Sequence, residues 1–348
     1  MTGVDLDKVH LVGSVALDTV EEVFHTAGTL LGRRLKRVPD GEPGGRRLWI
    51  SWQYPLLCGS PYLRIDTTSV TPASVLPKLK LAEGMRAEEI HFGELGYARE
   101  ARASYQDFIS AKGRGALPQS ARFQVSLPTP MAVISHFCVP KDIPTIEPAY
   151  EKAMLDEVAR ICSAIPHHDL AIQWDLCIEM LIWDGQLADR FPKEGAGHAD
   201  ITARLKRLAH AVPIDVELGF HLCYGDYDAK HFVEPIDSAK MVEFANALAS
   251  SVQRPIAFLH MPVPIARSDD AFFRPLANLK LAPTTELYLG MVHAEDGAEG
   301  INKRAAAASK YIGTFGIATE CGISRRKTPD VVRKILAIHA ECSHEPPE

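Results

Sequence analysis

The 348-residue sequence lacks the features that mark several large classes of protein. It has no uninterrupted apolar run approaching the ~20 residues that a membrane-spanning helix needs. It has no block of basic residues of the kind that binds nucleic acid, and its formal net charge is −6. No charged segment leads into an apolar stretch at the start, so we expect no signal peptide. These absences predict a protein that binds neither a membrane nor nucleic acid.

Motifs that bind nucleotides or activate a serine are also missing. The sequence contains no P-loop, no Gly-x-Gly-x-x-Gly and no serine nucleophile elbow. It has seven cysteines, an odd number scattered along the chain, which argues against a disulfide framework. We therefore expect a reducing, cytoplasmic setting in which the thiols are free to bind a metal ion.

The pattern of short apolar runs predicts the fold. Eight strand-like runs, most of them separated by a helical pattern, favour a parallel barrel over an open sheet. We predict a single (β/α)8 TIM barrel over residues 1–348, with an irregular N-terminal insertion and a frayed tail from about residue 340. The predicted strands lie at 10–15, 89–97, 122–130, 170–175, a fifth run from 214 through His221, 256–261, 287–293 and 314–319.

One strand end carries a pair of metal-binding side chains. His221 and Cys223 are two residues apart, so they point to the same side of a strand. A later predicted strand ends in Cys321. If the two strand ends meet, one imidazole and two thiolates could bind one zinc ion. A His-x-Cys pair alone is a weak signal, because 14 histidines and seven cysteines produce ~0.3 such pairs by chance.

Other polar residues also fall where predicted strands end. His260, His293 and Asp175 terminate three of the runs, and Glu179 follows shortly after Asp175. The carboxyl ends of the strands form the active-site face of a TIM barrel. We therefore expect these side chains to converge with His221 and the two cysteines on one pocket.

The motif His221-x-Cys223-Tyr224 and the late Cys321-Gly322 resemble the zinc-binding catalytic half of cobalamin-independent methionine synthase. More broadly they resemble the barrel superfamily that includes uroporphyrinogen decarboxylase and the epoxyalkane thiol transferases. In the synthase, zinc is held by the His and Cys of the first motif, a Glu at the end of the next strand, and the late Cys. The resemblance implies the corresponding ligands here, with His260 where the family has Glu. His260 is then either a fourth, neutral ligand or a free base beside an open position.

Two further stretches resemble the synthase. Gln173-Trp174-Asp175 is similar to its Gln-x-Asp-Glu-Pro stretch, whose Asp contacts the amino group of the substrate, although the Glu-Pro is absent here. Asp175 could instead cap the next helix. The Gly-rich loop around Asp40 and Glu42 is similar to an early acidic loop of that family. We therefore predict substrate-binding residues at Asp40, Glu42, Gln173, Trp174 and Asp226. Asp226 lies in the charged loop that follows His221 and Cys223, so it could also orient His221.

Three functions remain open from the sequence. The first is a zinc-dependent methyl- or alkyl-transferase that acts on a small thiol, with Asp175, Glu179 and His293 as candidate catalytic groups. The second is a metal-dependent lyase or hydrolase on the same barrel. The third is a non-catalytic barrel that binds a small molecule and carries a structural metal. A homo-oligomer is compatible with each.

Overall fold

Eight parallel strands form a nearly closed barrel in the computed structural model, which describes residues 5, 8–69, 76–185, 195–225, 231–325 and 327–342. From the second strand onward each strand pairs with the next in chain order, and the last pairs with the first. A single bridge between Val9 and Leu35 links the first strand to the segment leading into the second. The strands are β1 Val9–His10, β2 Arg37–Pro39, β3 Arg122–Pro128, β4 Leu170–Leu176, β5 Glu217–Leu222, β6 Phe258–Pro262, β7 Glu286–Val292 and β8 Gly316–Thr319.

Helices surround this barrel and bury its outer face, which confirms the predicted (β/α)8 fold. Among the described helices, none is both long and apolar enough to cross a membrane. They are α1 Val20–Leu31, α2 Tyr54–Cys58, α3 Tyr97–Gly113, α4 Pro130–Phe137, α5 Ile143–Ala164, α6 Cys177–Asp184, α7 His198–His210, α8 Ala239–Ser251, α9 Asp270–Phe273, α10 Gly297–Ala308 and α11 Pro329–Glu341.

The second strand is not where the sequence pattern predicted it. The run 89–97 is irregular before α3 begins, and β2 is the three-residue strand Arg37–Pro39 instead. The apolar residues of 89–97 pack outside the barrel, where Phe92 contacts the ring of Tyr150 at 5.5 Å. A three-residue strand that runs directly into a Pro- and Gly-rich loop is too short to show an alternating pattern.

The insertion between β2 and α3 is irregular, as predicted from its composition. Besides α2, it contains an antiparallel pair of short strands, Leu63–Ile65 and Leu79–Leu81. Its first part, the loop of residues 40–49, continues directly from the carboxyl end of β2. The insertion therefore starts on the face of the barrel where sites of this fold are built.

The amino-terminal end of the barrel is closed by a buried cation. The Arg37 guanidinium lies 4.3 Å above the Phe258 ring and is only 4% exposed. Its Nε donates to Glu217 at 2.6 Å and its Nη1 to Glu286 at 2.8 Å. Gly219 leaves room for the ring, because a Cβ there would lie 2.1 Å from it. This packing fills the barrel and restricts any site to the opposite end.

We predict that Arg37→Met lowers the free energy of unfolding by about 3 kcal/mol, since it removes one partner of a buried ion pair. Lys36 and Arg122 still contact the two carboxylates, which limits the loss. The control is Arg114→Met, which removes an exposed pair with Glu21 and should cost less than ~1 kcal/mol. Urea denaturation measures both, and equal losses would contradict a structural role for the buried pair.

Candidate metal centre

Three potential metal ligands meet at the carboxyl end of the barrel. His221 lies on β5, Cys223 follows that strand, and Cys321 follows β8. One ligand atom from each side chain lies within 4.8 Å of the other two. His221 and Cys223 are 1% and 5% exposed, and Cys321 is partly exposed. Two strands that are far apart in sequence thus deliver one imidazole and two thiols to one point.

The spacing of the two sulfur atoms suits a tetrahedral metal ion. Cys223 Sγ and Cys321 Sγ are 3.8 Å apart. Two thiolates bound to zinc at ~2.3 Å with a tetrahedral angle would be separated by about 3.8 Å. A disulfide would bring them to ~2.05 Å, and all seven cysteines of the chain are free thiols here. Imidazole and thiolate donors together are the ligand set that zinc prefers.

The thiol of Cys223 is favoured in its protonated form when no metal ion is bound. A hydrogen bond with the Cys177 thiol and burial raise the pKa of Cys223 well above its usual value. The contact with Cys321 and the backbone N–H of Gly225, 3.3 Å away, act in the opposite direction. Metal binding would therefore displace a proton from this thiol.

His260 lies beside the three-residue group and outside it. Its Nδ1 is 2.7 Å from Nδ1 of His221. Burial lowers the pKa of His260 to about 3. Burial also lowers the pKa of His221 well below its usual value, and the neighbouring His260 and His10 add to this effect. Both rings are therefore neutral. The role of His260 as a fourth ligand or as a base stays a prediction.

Asp175 lies in the same row as these two histidines. Asp175, His221 and His260 occupy matching positions on the adjacent strands β4, β5 and β6. Gln173 Nε2 donates to Asp175 Oδ1 at 2.8 Å, and Trp49 of the early loop also hydrogen-bonds this carboxyl group. Burial nevertheless raises the pKa of Asp175 to about 7.

The early loop places a second carboxyl group next to Asp175. Burial raises the pKa of Glu42 to about 8, and the negative charges of Asp175 and Asp40 add to the effect. The backbone of Glu42 has φ +53°, an uncommon conformation for a residue with a side chain. Its N–H donates to Asp40 Oδ1 at 2.9 Å, which holds this turn in place. The loop thus brings Glu42 near enough to Asp175 for the two charges to interact.

Some of the predicted substrate-binding residues have structural partners. Asp40 forms an ion pair with Arg46 at 2.8 Å and accepts a hydrogen bond from Ser104 Oγ at 2.7 Å. Trp174 alternates with Gln173 and Asp175, so its fully buried ring packs into the hydrophobic core around the barrel. Asp226 lies outside the described residues. Asp40 therefore supports the loop, and Trp174 faces away from the mouth.

Glu179 and His293 are both buried. Glu179, on α6, is 1% exposed; burial raises its pKa to about 7, opposed by a hydrogen bond from Thr129. His293 Nε2 is 3.0 Å from the Val263 carbonyl, and its Nδ1 is 3.7 Å from Glu320. Burial lowers the pKa of His293 to about 4. Glu320, the residue directly before Cys321, thus links His293 to the segment that carries this ligand.

Three contacts of the site were missed from the sequence. His10 Nε2 lies 2.9 Å from Gln173 Oε1 inside the barrel, and Cys177 hydrogen-bonds Cys223. Glu320 also lies 3.6 Å from Nε2 of His231. His10 starts one predicted strand and Cys177 lies two residues beyond the end of another, which is a weak signal. The link between Glu320 and His231 joins two loops and leaves no local pattern.

Comparison with known proteins gives a match in structure only. No protein-family model matches the sequence, and no curated protein matches it. A protein of Listeria monocytogenes assigned as a vitamin B12-independent methionine synthase matches in structure with a TM-score of 0.56. The match covers 99% of this chain and 100% of the other, at 13% identity. The match is therefore one of overall fold.

Two further solved structures agree. A B12-independent methionine synthase from Shewanella sp. W3-18-1, in complex with selenomethionine, has a TM-score of 0.56 at 14% identity and 97% coverage of both chains. A methyltransferase from Methanosarcina mazei has a TM-score of 0.51 at 13% identity, with 97% and 96% coverage. At this level of identity the likeness establishes the fold.

We predict that the free energy of unfolding of the Asp175→Asn variant, relative to that of wild type, increases as the pH rises. Because the pKa of Asp175 is raised in the folded protein, this side chain contributes to stability fully below about pH 4. That contribution is lost as the pH rises through about 7. Relative to wild type, the free energy of unfolding of the variant should increase by about 2–3 kcal/mol between pH 5 and pH 8. Urea denaturation at both pH values measures this difference.

The matched control is Asp156→Asn, whose carboxylate is half exposed and pairs with Lys152 on the surface of α5. Its difference from wild type should be similar at the two pH values. A pH-independent difference for Asp175→Asn would show that this carboxyl group is ionised in the folded protein throughout the range.

Proposed function

We propose that this protein is a zinc-dependent methyl- or alkyl-transferase that acts on a small thiol. The observation that carries the proposal is the convergence of His221, Cys223 and Cys321 at the barrel mouth. Three protein ligands leave one position of a tetrahedral ion open, as in catalytic zinc sites. The fold shared with two methionine synthase structures and a methyltransferase supports the same class of reaction.

The three ligands would hold zinc in a site of about zero net charge, because two thiolates balance the charge of the ion. Bound there, zinc would lower the pKa of a substrate thiol, so that its more nucleophilic thiolate form is available near neutral pH. The chain shields two of the three ligands from water, since His221 and Cys223 are almost fully buried, while the partly exposed Cys321 leaves access for a substrate. A dry site strengthens electrostatic interactions and limits competing reactions with water.

The two carboxyl groups beside the ligands would bind a cationic part of the substrate. Asp175 and Glu42 lie close together, and the pKa of each is raised towards neutrality. An ammonium group between them would favour their ionised forms, because an opposite charge lowers a carboxyl pKa. Gln173, itself held by the Val12 carbonyl at 2.6 Å, would keep Asp175 in position. The thiol substrate we propose therefore also carries an amine.

A metal-dependent lyase or hydrolase is the second candidate. The same two carboxyl groups have pKa values of about 7 and 8, which suits groups that donate or accept a proton near neutral pH.

The seven free thiols are those expected of a protein that works in a reducing cytoplasm. In either case the partner is a small molecule.

We predict about one zinc per chain in the purified protein, with Cys223→Ser and Cys321→Ser each losing most of it. Both variants should remain folded, because replacing sulfur by oxygen changes one atom in a core cluster that many other side chains form. The control is Cys162→Ser, a buried thiol on α5 away from the site, which should keep its zinc. Elemental analysis measures the metal, and full occupancy in the double cysteine variant would refute the proposed ligands.

The reaction class is tested with cobalt-substituted protein and thiols. An aminothiol should change the visible spectrum of the cobalt site, and Asp175→Asn should weaken that response more for an aminothiol than for a thiol without an amine. Incubation with alkyl donors should then give an alkylated thiol by mass spectrometry. A cobalt spectrum that no thiol changes would exclude the transferase and leave the lyase or hydrolase.

A further inference from the structure

The side-chain amide of Gln173 is fully buried and has partners at both of its polar atoms. Its Nε2 donates to the Val12 carbonyl at 2.6 Å and to Asp175 Oδ1 at 2.8 Å. Its Oε1 lies 2.9 Å from Nε2 of His10 and 3.4 Å from Nε2 of Gln124. An amide has two hydrogens and two lone pairs to place, so all four have a neighbour inside the barrel.

The Val12 carbonyl decides which way this amide is turned, because a carbonyl oxygen can only accept a hydrogen bond. Ser126 Oγ and Gln124 Nε2 also donate to this oxygen, at 3.0 and 3.1 Å. Three donors from β3 and β4 thus hold it in place. A reversed amide would bring its own oxygen against this one, where two acceptors repel. The NH2 group of Gln173 therefore faces Val12, and its Oε1 faces His10.

The orientation of the amide in turn fixes the tautomer of His10. Because Gln173 Oε1 is an acceptor, Nε2 of His10 must carry a hydrogen. Burial holds the pKa of His10 well below its usual value, so the ring is neutral and its Nδ1 carries no hydrogen. The ring packs against those of Phe258 and Tyr288, each with its centroid 5.0 Å away. His10 is therefore a donor whose position and hydrogen are both fixed.

Gln124 cannot take over the part of His10. Its Nε2 already donates to the carbonyls of Leu11 and Val12 at 3.0 and 3.1 Å. An NH2 group has two hydrogens, so its contact of 3.4 Å with Gln173 Oε1 is the weakest of the three. Without the imidazole, that buried oxygen would be poorly satisfied, and the amide would turn or shift towards another donor.

We propose that His10 is a positioning residue that acts on Asp175 through Gln173. By donating to Oε1, His10 keeps the amide turned so that its NH2 group stays with Val12 and with Asp175 Oδ1. An Asp175 side chain held in this way meets an ammonium group without having to rearrange. His10 itself does not touch the substrate. This role deepens the proposed function and rests on it only for the amine that Asp175 would bind.

The contact itself is tested without zinc or substrate. Nitrogen-15 NMR of the metal-free protein should show His10 with its hydrogen on Nε2. His10→Leu should shift the side-chain NH2 signal of Gln173, because the amide loses its fixed orientation. His10→Gln, whose own NH2 group reaches the place of Nε2, should restore that signal. A wild-type His10 with its hydrogen on Nδ1 alone, or an unshifted Gln173 signal in His10→Leu, would overturn the proposal.

The consequence for the substrate is measured as a preference for an amine. On cobalt-substituted protein, the affinity for 2-aminoethanethiol is compared with that for ethanethiol. His10→Leu should reduce this preference about 3–10-fold, the usual effect of one buried hydrogen bond, whereas His10→Gln should keep it. Tyr288→Leu is the packing control, because it disturbs the rings around His10 and leaves the donor in place. An unchanged preference in His10→Leu, or an equal loss in Tyr288→Leu, contradicts a positioning role.

A double-mutant cycle shows whether His10 acts through Gln173. Gln173→Leu should itself reduce the preference for the amine, and adding His10→Leu to it should have no further effect, because the donor has lost its acceptor. Additive losses would refute the relay. Circular dichroism establishes that each variant is folded, and if His10→Leu does not fold, the wild-type tautomer and His10→Gln decide.

Failure of this inference is distinguishable from failure of the proposed function. If no thiol changes the cobalt spectrum, the proposed function fails, and the Gln173 signal of the metal-free variants still decides the role of His10. If thiols bind with the expected preference for an amine and His10→Leu leaves that preference intact, only the role of His10 is overturned.

Discussion

The polar side chains inside the barrel must find their partners within it, because eight strands and the surrounding helices exclude water. Arg37 meets Glu217 and Glu286 at one end, and Gln173 joins His10 to Asp175 in the middle. At the other end His221 pairs with His260. A buried polar group without a partner is costly, so these contacts fix the orientation of the side chains that make them.

The same constraint gives the barrel mouth its chemistry. Burial keeps the two histidines neutral and raises the pKa values of Asp175 and Glu42, so the site holds little net charge when nothing is bound. Neutral imidazoles and thiols can take up a dication, and carboxyl groups near their pKa can respond to an amine. The site is therefore suited to cations of two kinds placed side by side, a metal ion and an ammonium group.

His260 stands where the family that the sequence resembles has a glutamate, and this difference changes the contacts made from that strand position. The resemblance to methionine synthase places a Glu ligand at this point, and the sequence alone leaves His260 as a ligand or a base. In the structure its Nδ1 contacts Nδ1 of His221, and its Nε2 lies against Gly290. A charged carboxylate and a flat, neutral imidazole make different contacts from the same strand position, so the role of His260 does not follow from its place in the motif.

Much of the architecture could be predicted from the sequence, since strands β3 to β8 are long enough for their apolar patterns to register. The pairing of His221 with Cys223 followed from strand alternation, a local rule that needs no tertiary information. The second strand could not be found, because Arg37–Pro39 is too short to carry a pattern. What the tertiary structure alone decided were the interactions between segments far apart in sequence: the contacts of Cys223 with Cys321 and of His221 with His260, and the charge interaction of Glu42 with Asp175. Periodicity predicts which face a side chain is on, whereas only barrel closure determines which side chains of different strands meet.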